Sequence, residues 1–463
     1  MNSGPPALAA LGDFHPADTW QVHVNHIFYG TKGPGIHNHF QTYVSRDHRL
    51  AHALADAFHS FCQSLPADDT APLEVQEWGV GNGNLAARFL SRLRDIDSTG
   101  CAYPRLQYTL CDYSLEILKG VEANPHLQDH AGRFATAHLD ARDMGGLAPH
   151  SLTWVLSNEI WDDLATRVLI KSQGTLYEEY LQPLIDRAVL DGDFETFLNR
   201  FENADLEALQ AQPPFLEHIV WERAFQRTDL GDWPFGEVVR QHMESIGDDI
   251  PVPINAGAFG TLEKAHRLLA PGRSFGYTGF DYGMLDLEHL NWEGRPYFKL
   301  YGGQYTSMVN FPLLADVGRA IGFQNVDREP QHTFVHRNLG EPVISLVELV
   351  QNHPRVAEMA PWDVDVLMLE TLQALNNRYR SPYPNRLDYP TLPGTPKKQR
   401  KLMQQLIQNM NARGVPDTVA YITESEVRAA DKTLRKLGYR EKDIQRSFHP
   451  ANAAIQFCRL TLR

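Results

Sequence analysis

Residues Val75 to Leu85 read V-Q-E-W-G-V-G-N-G-N-L, and the fold follows from how that stretch is read. Val75 to Trp78 is a short run suited to a buried strand. Gly79, Gly81 and Gly83 then leave three alternate positions without a Cβ, so the backbone can bend sharply and lie directly against a ligand. Asn84 to Leu93 follows as a helix whose first N–H groups lack partners within the helix and point at that ligand. Such a bend suits either the phosphates of a dinucleotide or the amino-acid end of S-adenosylmethionine. The dinucleotide fingerprint is G-x-G-x-x-G. Here the spacing is G-x-G-x-G, with Glu77 two residues ahead, where an acid can hold the turn or meet an ammonium group. A tight structural turn in some other α/β protein is the third reading.

Outward from this bend, strands and helices alternate. Strand one covers about Glu74 to Trp78, strand two about Gln107 to Cys111 and strand three about Arg133 to Leu139. Strand four, Leu152 to Leu156, ends at Ser157-Asn158-Glu159, and strand five, Ser274 to Phe280, runs into Asp281-Tyr282-Gly283. This βαβα order implies a parallel sheet with helices on both faces, and ligands bind beyond the carboxyl ends of such strands. The expected fold class is therefore α/β and Rossmann-like, with a helical insertion after strand four and a C-terminal α+β extension. Residues 1–64 divide into a poorly ordered lead-in to about residue 20 and a helix in which Leu50, Leu54, Phe58 and Phe61 recur at helical spacing against the catalytic domain. Residues 65–340 form that domain, interrupted at about 166–252, where Leu181, Leu184, Ile185 and Val189 suggest a helical lid. Residues 341–463 read as a separate region with a Pro-rich break at 381–396, followed by a basic helix face from Lys397.

With 463 residues, the chain is too long for one compact core, and 43% hydrophobic content marks a folded protein. No apolar run approaches the ~20 residues that span a bilayer, and the N-terminal residues carry no basic or Arg-rich targeting pattern. Neither a membrane location nor export is expected. Cys62, Cys101, Cys111 and Cys458 form no C-x-x-C pair, which fits a reducing cytoplasm. His23, His26, His37 and His39 lack a carboxylate pattern, so no metal is expected. The formal net charge of −14 repels phosphate backbones, disfavouring nucleic acid, and draws in cations.

The strand ends supply candidates for a sulfonium nucleoside. Glu77 and the glycines suit the methionine end. Asp112 can accept two ribose hydroxyls through its two oxygens, or cap the next helix. Asp140, with Ala141 beside it, suits the adenine amino group, or caps in its turn. An acid after strand two also serves nicotinamide dinucleotides, which keeps an oxidoreductase reading open.

The glycine bend is similar to the first motif of class I methyltransferases, and further segments narrow the resemblance. Ser157 to Leu164, S-N-E-I-W-D-D-L, resembles the N-E-x-x-D-A-L-P segment of the MidA-like methyltransferases. Asp112-Tyr113-Ser114 is similar to that family's E-x-S, and Phe280 to Gly283 to its I-D-Y-G. Gly302 to Phe311 resembles D-x-T-A-H-V-D-F, and Gln331 to Gly340 resembles Q-G-x-F-L-x-x-L-G. The likeness runs from about Phe40 to Gly340 in the family's order. It implies a class I sheet, S-adenosylmethionine as cofactor and, from the mitochondrial members that assist respiratory complex I assembly, methylation of protein arginine. A protein or peptide partner follows from that. Three positions depart from the pattern: Ala165 stands for Pro, and Gln304 and Met308 replace an acid and a histidine.

A guanidinium acceptor needs carboxylates to orient it and to stabilise charge on the attacking nitrogen. Glu159 and Asp162, three apart on a helix expected to start at Asn158, would share one face and flank the acceptor. Equally, the two acids would simply favour the helix dipole. The readings in competition are a methyltransferase, a catalytically silent binding or assembly protein, and an NAD-dependent oxidoreductase.

Overall fold

The computed structural model describes residues 8–32, 47–141, 147–376, 394–413, 420–448 and 453–463. Its centre is a sheet whose long strands, in chain order, are β1 (Leu73–Trp78), β2 (Leu106–Asp112), β3 (Phe134–His138), β4 (Trp154–Asn158), β5 (Gly276–Met284), β6 (Val326–Pro330) and β7 (Gln456–Leu462). In space they lie β6-β7-β5-β4-β1-β2-β3. The five strands from β5 to β3 pair in parallel, whereas β7 runs antiparallel to both β5 and β6.

Side-chain alternation sends successive residues to opposite faces, as strand geometry requires. On β4, Val155 packs in the cluster that contains the helix Ala256–Leu268 and the helix Phe311–Ile321, while Trp154 and Leu156 pack against the other layer. That second layer holds α2 (His48–Ser64) and α3 (Asn84–Ile96). Leu50, Leu54 and Phe58 of α2 are buried there, and Phe61 packs beside them, as their spacing predicts. Both faces of the sheet are thus covered, which explains its apolar strands.

Three expectations change. Residues 166–252 are not a helical lid. Arg167–Ser172, Thr175–Asp186, Val220–Arg227 and Val252–Ile254 form an antiparallel sheet, with only short helices such as Phe194–Glu202 between. Leu181, Leu184 and Ile185 lie in its longest strand, where Pro183 would have broken a helix. The lead-in is likewise structured from Leu8: Leu8–Ala10 and His15–Pro16 pair with that strand, and α1 (Ala17–Lys32) packs on the same sheet. The C-terminal part is not simply an appendage. Helices between Leu346 and Ser447 have their own core, but the chain then returns to the central sheet as β7. Arg49 and Asp47, at the start of α2, hold that helical region through Glu426 and the backbone of Ala420 and Tyr421. Residues 381–393 of the Pro-rich break lie outside the described residues, as do His37 and His39. Among the described residues no helix is long and apolar enough to cross a membrane.

Candidate functional site

The glycine bend sits where β1 meets α3, at the carboxyl end of the sheet. All three glycines are left-handed, with φ of 75°, 52° and 74° at Gly79, Gly81 and Gly83. They are not equivalent. A Cβ at Gly79 would lie 2.4 Å from Ile160 Cγ2, and one at Gly83 would lie 2.9 Å from Leu127 Cδ1. Those two glycines exist to let the chain pack. A Cβ at Gly81 would meet nothing within 4 Å, so this position faces open space over the bend. Gly83 is the N-cap of α3 and brings no side-chain bond to the helix's first N–H groups. Among the described residues, Asn82 Oδ1, accepting from Asn84 N at 3.0 Å, takes one of them.

Glu77 lies beneath the bend and is 2% exposed. Its carboxylate accepts the Tyr108 hydroxyl at 2.7 Å, and burial pushes its pKa up to about 7. The native protein therefore holds a proton that the unfolded chain releases at lower pH. Stability is greatest below the ordinary Glu value of 4.5 and falls as pH climbs to about 7. The effect is on the order of 3 kcal/mol at most. Glu77→Gln keeps an acceptor for Tyr108 and removes the buried charge. It is expected to melt several degrees above wild type at pH 8, with the gap closing at pH 5. A parallel pair of melting curves at the two pH values checks this; a variant less stable at pH 8 would refute it.

Asp112 ends β2 and is 5% exposed. Its Oδ1 accepts from Ser114 N at 2.9 Å, while Ser114 itself caps the following helix by accepting from Ile117 N at 3.3 Å. Asp112 is therefore not that helix's N-cap. Burial pushes its pKa up to about 6, against N–H groups of Ser114, Val80 and Tyr113 that favour the charge; the nearby Asp140 carboxylate adds to the rise. Bonding to Val80 ties Asp112 to the bend. Asp140 is brought beside it by the bond from Leu139 N to Asp112 O, 3.0 Å. Ala141 follows, its carbonyl 3.4 Å from Lys264 Nζ. The bend, Glu77, Asp112, Asp140 and Ala141 thus share one end of the sheet.

Beyond β4 the expected helix does not form. Glu159 has a φ of 54° and its N–H is fixed to Phe280 O at 2.8 Å; a turn follows. Asp281 Oδ2 takes the N–H groups of Trp161 and Asp162 at 2.9 and 3.2 Å, which closes the turn across to β5. Glu159 and Asp162 therefore share no helix face. Asn158 Nδ2 donates to Glu159 Oε1 at 3.2 Å. Asp162 is 5% exposed, and its Oδ2 accepts the Tyr282 hydroxyl at 2.8 Å. Burial, then the charges of Asp281, Asp163 and Glu159, push its pKa well above the carboxylate range; burial and Glu159 do the same to Asp281. Four acids thus crowd one sheet edge, and Asp162, Asp163 and Asp281 hold their protons to higher pH than a free carboxyl does.

The sequence reading missed α1's part in this edge. Gln21 donates to Asp162 O at 3.0 Å, Asn25 donates to Tyr305 O at 2.8 Å, and the Tyr29 hydroxyl donates to Asp163. Gln304, at a departing family position, donates to Asp163 at 2.6 Å and to Tyr29 at 2.8 Å. Met308, the other departure, is buried in the main core. Gln21, Asn25 and Tyr29 recur every four residues, a polar stripe on one helix face that was visible in the sequence.

No family model matches the chain, and no curated protein matches it. Among solved structures, it is similar to an uncharacterised protein from Burkholderia thailandensis, at 15% identity and a TM-score of 0.45 over 88% of this chain and 87% of that one. It is also similar to a Burkholderia thailandensis structure of the same superfamily, described as a likely methyl transferase bound to S-adenosyl-homocysteine, at 15% identity and a TM-score of 0.43 over 87% of this chain and 86% of that one. A Haemonchus contortus phosphoethanolamine N-methyltransferase aligns at 10% identity and a TM-score of 0.33, over 88% of this chain and 52% of its own.

Proposed function

We propose that this chain is an S-adenosylmethionine-dependent methyltransferase of the MidA-like type, with a cationic nitrogen as acceptor, protein arginine first among them. The observation that carries the reading is the strand order, β6-β7-β5-β4-β1-β2-β3 with β7 reversed, together with a glycine cradle at the end of β1. The dinucleotide-binding sheet is parallel with order 3-2-1-4-5-6; a reversed strand between the fifth and sixth is the arrangement of class I methyltransferases. The cradle also fits the group, because Gly81 leaves the space over the bend open and the N-cap, Gly83, offers no side chain to the first N–H groups of α3. Gly79 to Gly83 and the α3 N-terminus would hold the methionine end, Asp112 the ribose, and Asp140 with Ala141 the adenine. When bound, the sulfonium supplies an electrophilic methyl group.

The chain's own residues align the acceptor and exclude water. Glu159 is half-buried at the end of β4, next to Ile160, which packs on Gly79, and so stands beside the cradle. We assign it the contact to the acceptor. Asn158 steadies its carboxylate. Asp162 acts as a positioning residue, because Tyr282 and the surrounding fold hold it. The crowded carboxylates favour a cation, whose arrival relieves their mutual repulsion and draws them to the charged form.

Glu159→Gln is expected to leave affinity for the cofactor within about threefold and to lower transfer at least ~100-fold, the usual scale for removing one electrostatic stabiliser. Transfer of radiolabelled methyl into protein, alongside a cofactor titration, measures both. Unchanged transfer would remove Glu159 from the chemistry. The internal bonds of Asp162 and Asp163 favour one second reading, a binding protein without chemistry. Cofactor binding with no label transferred to any lysate protein would select it.

A further inference from the structure

At the opposite end of the sheet, α2 meets the loop joining α3 to β2. His59, Asp97 and Cys101 place one donor atom each within 4.8 Å of one another, the one such group among the described residues. His59 Nε2 is buried without a hydrogen-bond partner and lies 3.4 Å from Asp97 Oδ1. Cys62 stands one turn along α2 from His59, on the same helix face, and is 3% exposed. We propose that His59, Cys62, Asp97 and Cys101 form a zinc-class site that staples α2 to the α3–β2 loop.

The donor chemistry favours this class of ion. An imidazole, a carboxylate and two thiols match the ligands that zinc takes tetrahedrally, and no spare position is left for catalysis. Zinc bonds of about 2.0–2.3 Å place ligands ~3.5 Å apart, so the His59, Asp97 and Cys101 donors, within 4.8 Å of one another, must draw together, and Cys62, outside that group, must turn its thiol toward them. Asp97 is already fixed in place: its oxygens accept from Cys101 N, Ala102 N and Tyr103 N at 3.0, 2.9 and 2.7 Å. Such fixed outer contacts orient a metal ligand. Thiols bind zinc as thiolates, so ligation by Cys62 and Cys101 releases one proton from each to solvent as the bonds to the ion form. Two nearby guanidiniums do not block the cation, since Asp69 pairs with both Arg105 and Arg273 at 2.7 Å.

The full chain, stripped with a chelator and titrated with zinc chloride and separately with cobalt chloride, decides the matter. Expected are one zinc per chain, a melting temperature raised by several degrees, and a thiolate-to-cobalt charge-transfer band. His59→Ala with Cys101→Ser should weaken zinc binding at least ~100-fold, and Cys62→Ser should weaken it and reduce the cobalt band. Absence of that band in the wild-type chain overturns the proposal even where the variants fail to fold. Undiminished zinc binding by the folded double variant, or a mass spectrum of the unreduced chain with Cys62 joined to Cys101, overturns it equally.

Discussion

Gly81→Leu is expected to leave the protein folded and to weaken binding of S-adenosylmethionine at least ~100-fold, about 2.7 kcal/mol. A side chain at this position enters open space, since a Cβ there meets nothing within 4 Å. Its cost to the fold is confined to the left-handed backbone, φ 52°, which a side chain tolerates at about 1–2 kcal/mol. Gly272→Leu is the matched control. Its φ is 71° and a Cβ there also meets nothing within 4 Å, but it lies in the turn before β5, away from the cradle. Equal melting temperatures with unequal affinities would place the ligand over Gly81. Equal affinities in both variants would place it elsewhere. Gly79 offers no such separation, because its Cβ would collide with Ile160 and disturb the floor itself.

Removing residues 456–463 is expected to leave no cooperatively folded protein. These residues supply β7, which pairs with seven residues of β5 and five of β6. Cys458, Leu460 and Leu462 are fully buried in the main core. Losing the two leucines alone forfeits ~3–6 kcal/mol of burial, and the edges of β5 and β6 lose their partners as well. A typical domain has about 5–15 kcal/mol in total. Leu460→Asp, which puts a charge in the same core without shortening the chain, should fail similarly. Circular dichroism melts of the two proteins check this. A truncated chain that melts cooperatively and still binds cofactor would show that the last strand is an ornament on a five-strand core.

That strand also marks where sequence reading stops. β1 to β5 were legible because each is a short apolar run ended by a polar or glycine residue, and the helices between them fix the parallel order. Gln456 to Leu462 alternates quietly, and nothing local tells it to pair with a strand begun 180 positions earlier: its register with Tyr277 and Val326 is set by long-range packing. The same limit explains the antiparallel sheet after β4. Leu181, Leu184 and Ile185 fit a helical stripe by spacing, but tertiary pairing with Arg223, Val220 and Ile185's own partner Ala9 overrides it.

The site divides along the same line. That the glycines, Asp112 and Asp140 gather at one edge was readable, since strand ends meet there wherever strands run parallel. The geometry after Asn158 was not, because Asp281, 120 residues beyond Trp161, takes the N–H groups that a helix there would have used. Glu159 then adopts a left-handed backbone instead of the first helical turn. The Gln21, Asn25 and Tyr29 stripe was visible as a pattern, and only its target was hidden.

On the proposed function, the bend between β1 and α3 holds a sulfonium nucleoside. Calorimetric titration of the full chain with S-adenosyl-homocysteine, with NAD as comparison, measures it most directly. One site per chain for S-adenosyl-homocysteine, lost in Gly81→Leu and absent for NAD, is the expected result. No heat with S-adenosyl-homocysteine, or saturable binding of NAD that Gly81→Leu abolishes, would contradict it.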